Sequence, residues 1–228
     1  MKEKYNATLV LLSFNEIEGL NNIYDKIPLN KFNQVFAIDP GSTDGTLNFY
    51  KEKGMPFIIQ EKRGRAEAFR IGIKEAKHES VVFFSVDGNE DPQDISKLLD
   101  CLEEGYDMAI ASRFLPASQA DDSNEALPYR TFGNRMFTIM ANVLFGGKLK
   151  DSINGFRAIK KQKFLELDPD TEGFGIEYQM SIRAMKKGFK IKEIPTIEAD
   201  RIGGVSTAHT WSTGWLFVGL IMKELFKK

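Results

Sequence analysis

A chain of 228 residues, 42% of them hydrophobic and 28% charged, suits one large α/β domain or two closely packed halves, and its apolar content excludes disorder. Its 31 basic and 32 acidic residues leave a net charge of -1, which gives no general attraction to nucleic acid. The single cysteine, Cys101, excludes a disulfide within the chain; it lies in an apolar helical stripe, reads as a packing residue and fits a reducing, cytoplasmic compartment.

The opening MKEKYNATLVLLSF has a short apolar run and no small-residue cleavage site, so it reads as a first strand over 8–13 and not as a secretory leader. A helix follows over 16–26, then a second strand over 35–38 and a helix over 43–53 capped by Ser42 or Thr43. A third strand is expected over 57–60, a helix over 66–77, a fourth strand over 80–86, a helix over 94–104 and a fifth strand over 108–111. Short apolar runs alternating with helices are the pattern of a mostly parallel sheet covered on both faces. The second half is less regular: a long helix over 128–146, a loop over 150–157, helices over 160–167 and 176–187, a strand over 189–199 and a glycine-containing loop over 200–209. No stretch reaches the roughly 20 apolar residues that cross a bilayer. The last segment, 211–226, carries Trp211 and Trp215 beside an apolar run and ends in lysines; it reads either as an interfacial amphipathic helix or as a terminal helix docked on the domain.

Parallel sheets bind ligands beyond the carboxyl ends of their strands. Ser13, Asn15 and Glu16 follow the first strand, and Asp39 with a Gly41–Ser42 turn follows the second. Arg63, Gly64 and Arg65 follow the third, Asp87-Gly88-Asn89-Glu90-Asp91 the fourth, and Ser112 and Arg113 the fifth. Helix caps alone do not account for such a succession at one sheet edge.

Each group has a chemistry. Asp87, Asn89 and Asp91 alternate after the most apolar strand; oxygen ligands in such a row suit Mg²⁺ or Mn²⁺, although an Asp-Pro pair also serves as a helix entry. Arg63, Arg65, Arg113, Arg130, Arg157 and Arg201 stand in or beside loops, and the guanidinium fork suits phosphate. Asp39, with Glu16 or Asn15 beside it, offers acceptors to a nucleobase or ribose, and the Gly41–Ser42 turn admits a close ligand. Ser13, Arg65 and Gly88 complete the ligand-binding set. His78 reads as solvated and His209 as a loop residue. Neither a P-loop nor zinc spacing is present.

Taken together, "SFNE", "DPGSTDGT", "RGRAEAFRIGIKEA", "VVFFSVDGNEDPQDI", "ASRF", "DSINGFR" and "RIGGVS" resemble, in order and spacing, the family 2 glycosyltransferases, over residues 5–207. The D-S-x-x-G-F-R and R-x-G-G-x-S elements resemble the dolichyl-phosphate (polyprenyl-phosphate) mannosyltransferase-like branch. The resemblance implies a GT-A-type nucleotide-diphospho-sugar transferase fold, a GDP- or UDP-sugar donor, a divalent cation and inverting transfer. It implies a catalytic domain over 1–207, with a nucleotide-binding half (1–113) and an acceptor half (114–207), followed by a carboxyl-terminal amphipathic helix over 208–228. On it Asp39 and Glu16 match base and ribose contacts, Arg63 a donor-phosphate contact, and Asp87 and Asn89 the D-x-D pair, with Asp91 a third ligand. Arg113 and Arg130 match arginines that receive an acceptor phosphate, and Asp151, Arg157 and Arg201 match the acceptor and late loops. The chain departs from the pattern at Asn89, where an acid is usual, at Pro40, and in the missing lysine after Ser206.

A lipid phosphate is already an anion and needs no base; a glycan hydroxyl acceptor needs one, for which Glu177 and Asp151 are the candidates. The expected surroundings are the cytoplasm with peripheral contact to the cytoplasmic membrane face, and a homodimer is a further expected partner state. The competing readings are a non-catalytic nucleotide-sugar binding protein, motivated by Asn89, and a nucleotidyltransferase, disfavoured because "LLSFNEIEGL" lacks a glycine-rich loop with a lysine.

Overall fold

The computed structural model describes residues 4–120, 129–199, 201–202 and 210–227. Five parallel strands, β1 (Tyr5–Leu12), β2 (Phe32–Asp39), β3 (Phe57–Ile59), β4 (Ser80–Ser85) and β5 (Met108–Ser112), are joined through α1 (Ile17–Ile23), α2 (Thr46–Glu52), α3 (Arg65–Glu75) and α4 (Asp94–Glu103). Then come β6 (Gln119–Ala120), α5 (Tyr129–Phe145), β7 (Arg157–Lys160), α6 (Lys161–Leu167), α7 (Ile176–Lys186), β8 (Ile191–Pro195), β9 (Ile197–Glu198) and α8 (Thr210–Phe226). The main sheet has seven strands in the order β3-β2-β1-β4-β7-β5-β8, and β6 and β9 form a small second sheet.

Strand periodicity explains the two apolar layers. Leu9 and Leu11 of β1 point to the side covered by α1 and α4, where they meet Leu20, Ile95, Leu98 and Leu99. Val10 and Leu12 point to the other side, toward Phe69 and Ile73 of α3, Phe164 of α6 and Met180 of α7. Both faces are covered, so β1 and β4 read as continuous apolar runs. A third cluster joins Phe137 and Ala141 of α5, Tyr178 and Ile182 of α7, and Phe217, Leu220 and Ile221 of α8.

The structure corrects the sequence reading in four places. Residues 157–160, expected as the end of a loop and the start of a helix, are β7, antiparallel to both β4 and β5. The single strand over 189–199 is two: Pro195 ends β8, and Thr196, whose hydroxyl donates to Asp94 (2.6 Å), turns the chain into β9. The helix expected from Thr43 begins at Thr46, and Ser42 and Thr43 do not cap it; Asp44 accepts from the Thr46 amide (3.0 Å) instead. Strand β2 starts at Phe32, which is buried and pairs with Tyr5, and Gln34 is tied down by Thr8 (2.8 Å) and the Glu75 carbonyl (3.0 Å).

Candidate active site

The carboxylate that ends β2 organises its own turn. Asp39 is fully buried and accepts from Ser13 Oγ (2.7 Å), the Gly41 amide (2.8 Å), the Ser42 amide (2.6 Å) and Ser42 Oγ (2.7 Å). The next turn locks onto it. The Asn15 amide donates to Ser42 Oγ (2.8 Å), Asn15 Oδ1 accepts from the Thr43 amide (2.9 Å), and Asn15 takes the left-handed φ of 56° that an asparagine tolerates. The Asp39 oxygens are thus occupied by Ser13 and the turn.

Glu16 and Asp87 come together at the ends of β1 and β4. Both are buried, at 6% and 5% exposure, and the Arg201 fork spans them, Nη1 donating to Glu16 Oε1 (2.6 Å) and Nη2 to Asp87 Oδ2 (2.7 Å). Burial raises the Glu16 carboxyl to about 7, with Arg201 opposing and Asp87 reinforcing the rise. Glu16 Oε2 is buried with no hydrogen-bond partner among the described residues. Gly19 brings α1 this close: a Cβ there would run into the Val86 carbonyl and lie 2.9 Å from the Asp87 carbonyl carbon. Gly88, at φ 87°, lies beneath the Ile202 side chain, and the Ile202 amide donates to the Asp87 carbonyl (2.9 Å).

Of the row expected to hold a cation, Asp87 is bound by Arg201, and Asn89 Oδ1 is buried with no partner among the described residues. Asn89 Nδ2 donates to Glu198 (3.2 Å), and Asp91 accepts from the Gln93 amide (2.9 Å), as a helix entry does. Among the described residues no three His, Cys, Asp or Glu side chains gather to hold a metal. The oxygens that fit a divalent cation are those of Asp87 and Glu16, bridged by Arg201, and Asn89 Oδ1, which like Glu16 Oε2 is buried with no partner among the described residues; Mg²⁺ is commonly held by one or two carboxylates together with substrate phosphates and water. Behind them Glu90 accepts from the Ser85 amide (2.8 Å), and burial, aided by Asp87, pushes its carboxyl well above the usual range.

The arginines sort by partner. Arg63 is exposed and lies over the Phe14 ring, 5.3 Å from its centre, and among the described residues no carboxylate pairs with it. Arg65 pairs with buried Glu177, and Gly155 makes room, since a Cβ there would meet the Arg65 guanidinium and lie 2.9 Å from Glu177 Oε1. Arg113 grips Asp151 through Nε (2.7 Å) and Nη2 (3.1 Å), with Glu198 3.5 Å away. Burial works to raise the fully buried Asp151 carboxyl, but Arg113 and backbone amides outweigh it and hold it below the usual range.

Arg157, expected as a catalytic contact, is fully buried and donates to the Asn154 carbonyl (2.9 Å), the Glu177 carbonyl (3.0 Å) and Ser181 Oγ (3.4 Å). It fastens the 151–157 loop to α7, and no part of its side chain is exposed; burial lowers its pKa to about 10. The side chains of Arg130 and Trp211, and residues 203–209 with Ser206 and His209, lie outside the described residues.

A cleft of about 320 Å³ takes in part of this set; Asn15, Asp39, Asn89, Asp91, Arg113, Asp151, Arg157 and Glu177 are not among the residues that line it. Ser13, Glu16, Ile38, Pro40, Arg63, Arg65, Asp87 and Arg201 line it, so the turns after β1 to β4 open onto one space. Phe14, Gln60 and Phe174 line it too, and sequence reading passed over them. Phe14 and Gln60 were within reach, since each stands in or beside a strand-end turn already singled out. Phe174 arrives from a 3-10 turn over 173–175 that no local pattern ties to the sheet.

The sequence profile described as "Glycosyl transferase family 2" matches residues 8–168. The chain belongs to that family. Relatives include "Glycosyltransferase AglJ" of Haloferax volcanii, 30% identical over 197 residues, covering 86% of this chain and 63% of the relative. "Polyprenol monophosphomannose synthase" of Mycolicibacterium smegmatis is 27% identical over 216 residues, covering 87% and 80%. The family 2 chain thus spans less than two thirds of AglJ, but four fifths of the second relative. The expected likeness to the polyprenyl-phosphate mannosyltransferase branch holds. Among solved structures, glucosyl-3-phosphoglycerate synthase from Mycobacterium tuberculosis, in complex with Mg²⁺ and uridine diphosphate, superposes with a TM-score of 0.77 at 17% identity, covering 96% of this chain and 79% of that one. This family 2 glycosyltransferase domain has the GT-A fold expected of it.

Proposed function

We propose that the protein transfers a hexose from a nucleoside-diphosphate sugar to a polyprenyl-phosphate-type acceptor, with inversion and with a divalent cation, Mg²⁺ or Mn²⁺, in the cleft. The observation that carries this reading is the shared cleft. It brings the Asp39 turn, Arg63, Arg65, Arg201 and Asp87 to one wall, as a nucleotide, a diphosphate and a cation require. The complex of the structural neighbour with uridine diphosphate and Mg²⁺ supports it.

The nucleoside end of a donor meets Phe14, Pro40 and Gln60 along the Asp39 turn, and its diphosphate meets Arg63 and Arg201. A bound cation would neutralise charge growing on the leaving diphosphate. Asp87 and Glu16 would hold it, Arg201 would share that stabilisation, and the exposed fork of Arg63 donates to phosphate oxygens without first losing a carboxylate. Glu177 is engaged by Arg65 and Asp151 by Arg113, so neither presents a free carboxylate to a hydroxyl acceptor. That favours an acceptor already ionised.

The outer surface of α5 and α8 supports a lipid acceptor. Phe132, Ile139 and Val143 of α5 are 69%, 61% and 77% exposed, and Trp215 and Phe226 of α8 are 75% and 81% exposed. The two helices pack together through Phe137 and Phe217, ring centres 5.2 Å apart. No helix among the described residues is long and apolar enough to cross a membrane, so this surface would lie on one, at the cytoplasmic face.

The test is incubation of the pure protein with UDP- and GDP-sugars, Mn²⁺ and a polyprenyl phosphate. A lipid-linked sugar is expected. No transfer to lipid phosphate or glycan and no donor hydrolysis, across the common nucleotide sugars, would refute the reading. Replacing Val143, Trp215 and Phe226 with serine is expected to abolish flotation with liposomes; unchanged flotation removes this surface from the proposal.

A further inference from the structure

The end of the cleft assigned to the nucleoside is apolar in most of its side chains. Phe14, Ile38 and Pro40 line it, and Ser13 beside them donates its hydroxyl proton to Asp39 (2.7 Å). Gln60 differs. It follows β3 directly, and its backbone amide donates to the Asp39 carbonyl (2.9 Å), which sets it beside the Asp39 turn. Its side chain is held by the nitrogen. Nε2 donates to the Gly64 carbonyl (3.0 Å) and the Lys62 carbonyl (3.3 Å), so both amide hydrogens are engaged within the loop that carries Arg63. Carbonyls only accept, so the amide cannot turn over without setting oxygen against oxygen. Oε1 meets no donor among the described residues, although Gln60 is only 7% exposed and lines the cleft. The amide is thus fixed at one end and open at the other, and the open end is an acceptor.

We propose that Gln60 reads the base of the donor, and that of the GDP- and UDP-sugars the donor is the UDP-sugar. A fixed acceptor calls for an N–H on the base. Uracil offers one, its ring N–H between two carbonyls. Cytosine, of the same size, has a bare ring nitrogen at that place, which faces Oε1 lone pair to lone pair. Guanine sets an amino group beside its ring N–H and asks for two neighbouring acceptors. A carboxylate supplies such a pair; this carboxamide, committed through its nitrogen, supplies one. An unmet donor or acceptor in such a place lowers affinity by about ten- to a hundredfold.

This choice of base rests on the nucleotide-sugar reading of the cleft, and one experiment separates the two. UDP, CDP and GDP are titrated calorimetrically into the full chain with Mg²⁺. The three share ribose, diphosphate and cation, so the ratios of their affinities report the base. UDP is expected to bind about tenfold or more tighter than CDP and GDP. Gln60→Leu, first checked by its melting curve, is expected to bring the UDP-to-CDP ratio to about one. A role confined to holding the 62–64 loop would weaken both ligands and keep the ratio, and that result overturns the assignment to Gln60. The wild-type ratios stand without any variant. GDP or CDP binding as tightly as UDP overturns the choice of uridine and leaves transfer from another nucleotide sugar in place. Binding of none of the three removes the nucleotide-sugar reading itself, and this inference with it.

Discussion

Asp151→Asn separates a structural from a chemical role for a residue the sequence offers as a base. The change keeps shape and volume and removes one charge from a fully buried pair. Asp151 accepts two bonds from the Arg113 guanidinium and further bonds from the amides of Ile153 (3.2 Å) and Asn154 (3.1 Å). An asparagine nitrogen would point a donor at one of those donors. Removing one partner of a buried pair costs about 3–5 kcal/mol. Glu198, 3.5 Å from Arg113, takes over part of the compensation, so the lower end, about 3 kcal/mol, is expected. For a chain of this size that is a fall in melting temperature of about 6–12 °C. The pH dependence has a definite sign. Asp151 titrates below its ordinary 3.8 in the fold, so its contribution is present above that value and lost as pH falls through the folded pKa. Calorimetric scans between neutral and acid pH should therefore show the gap between wild type and variant closing on the acid side. A variant that melts within about 2 °C of wild type at neutral pH, yet loses all transfer, would refute this reasoning and return Asp151 to the chemistry.

Arg157→Met strips the Asn154 and Glu177 carbonyls of their donor at about 1–3 kcal/mol each, and calorimetry should show a lowered melting point with nucleotide affinity retained in the folded protein; retained stability with lost turnover would contradict the positioning role. Gly19→Ala drives a Cβ against the backbone at Val86 and Asp87; a loss of about 1–3 kcal/mol in denaturant unfolding is expected, and an unchanged midpoint would show that α1 does not set the Asp87 turn. Burial acts to raise the carboxyls of Asp170 and Glu224. Lys223, Gln179 and Lys227 around the first, and Arg183 and Gln179 around the second, hold them low instead, so their grip on α8 is present above about pH 4.5 and lost as pH falls. Both tryptophans stand on α8, so their emission should change on acidification before far-UV dichroism does; coincident transitions would place the anchor of α8 elsewhere.

What was legible follows from the range of the interactions involved. The turns after β1 to β4 could be assigned to one edge because each strand is a short apolar run and its direction is fixed by the helix that follows. β7 escaped because four residues, one of them the buried Arg157, make no pattern, and its place between β4 and β5 is decided by partners far away in sequence. Asp39 was visible as a carboxylate at a strand end, but no local signal says whether it faces a ligand or its own turn. In space, the amides of Gly41 and Ser42 and the hydroxyls of Ser13 and Ser42 all donate to it.

The arginines carry the same lesson to its chemical end. In sequence, Arg63, Arg65, Arg113, Arg157 and Arg201 are equivalent loop residues suited to phosphate. Folding distributes them by what each must neutralise: Arg65 goes to Glu177, Arg113 to Asp151, Arg157 to backbone carbonyls, and Arg201 to Glu16 and Asp87. Each of these would have to break a bond to a buried partner before gripping a substrate. Arg63 alone of the five stands exposed over an aromatic ring with no carboxylate partner among the described residues. Stacking on Phe14 leaves the edge of its guanidinium open, and that edge carries the hydrogen-bond donors. Of the five, Arg63 would therefore grip an anionic ligand in the cleft at the lowest cost, since it breaks no such bond first.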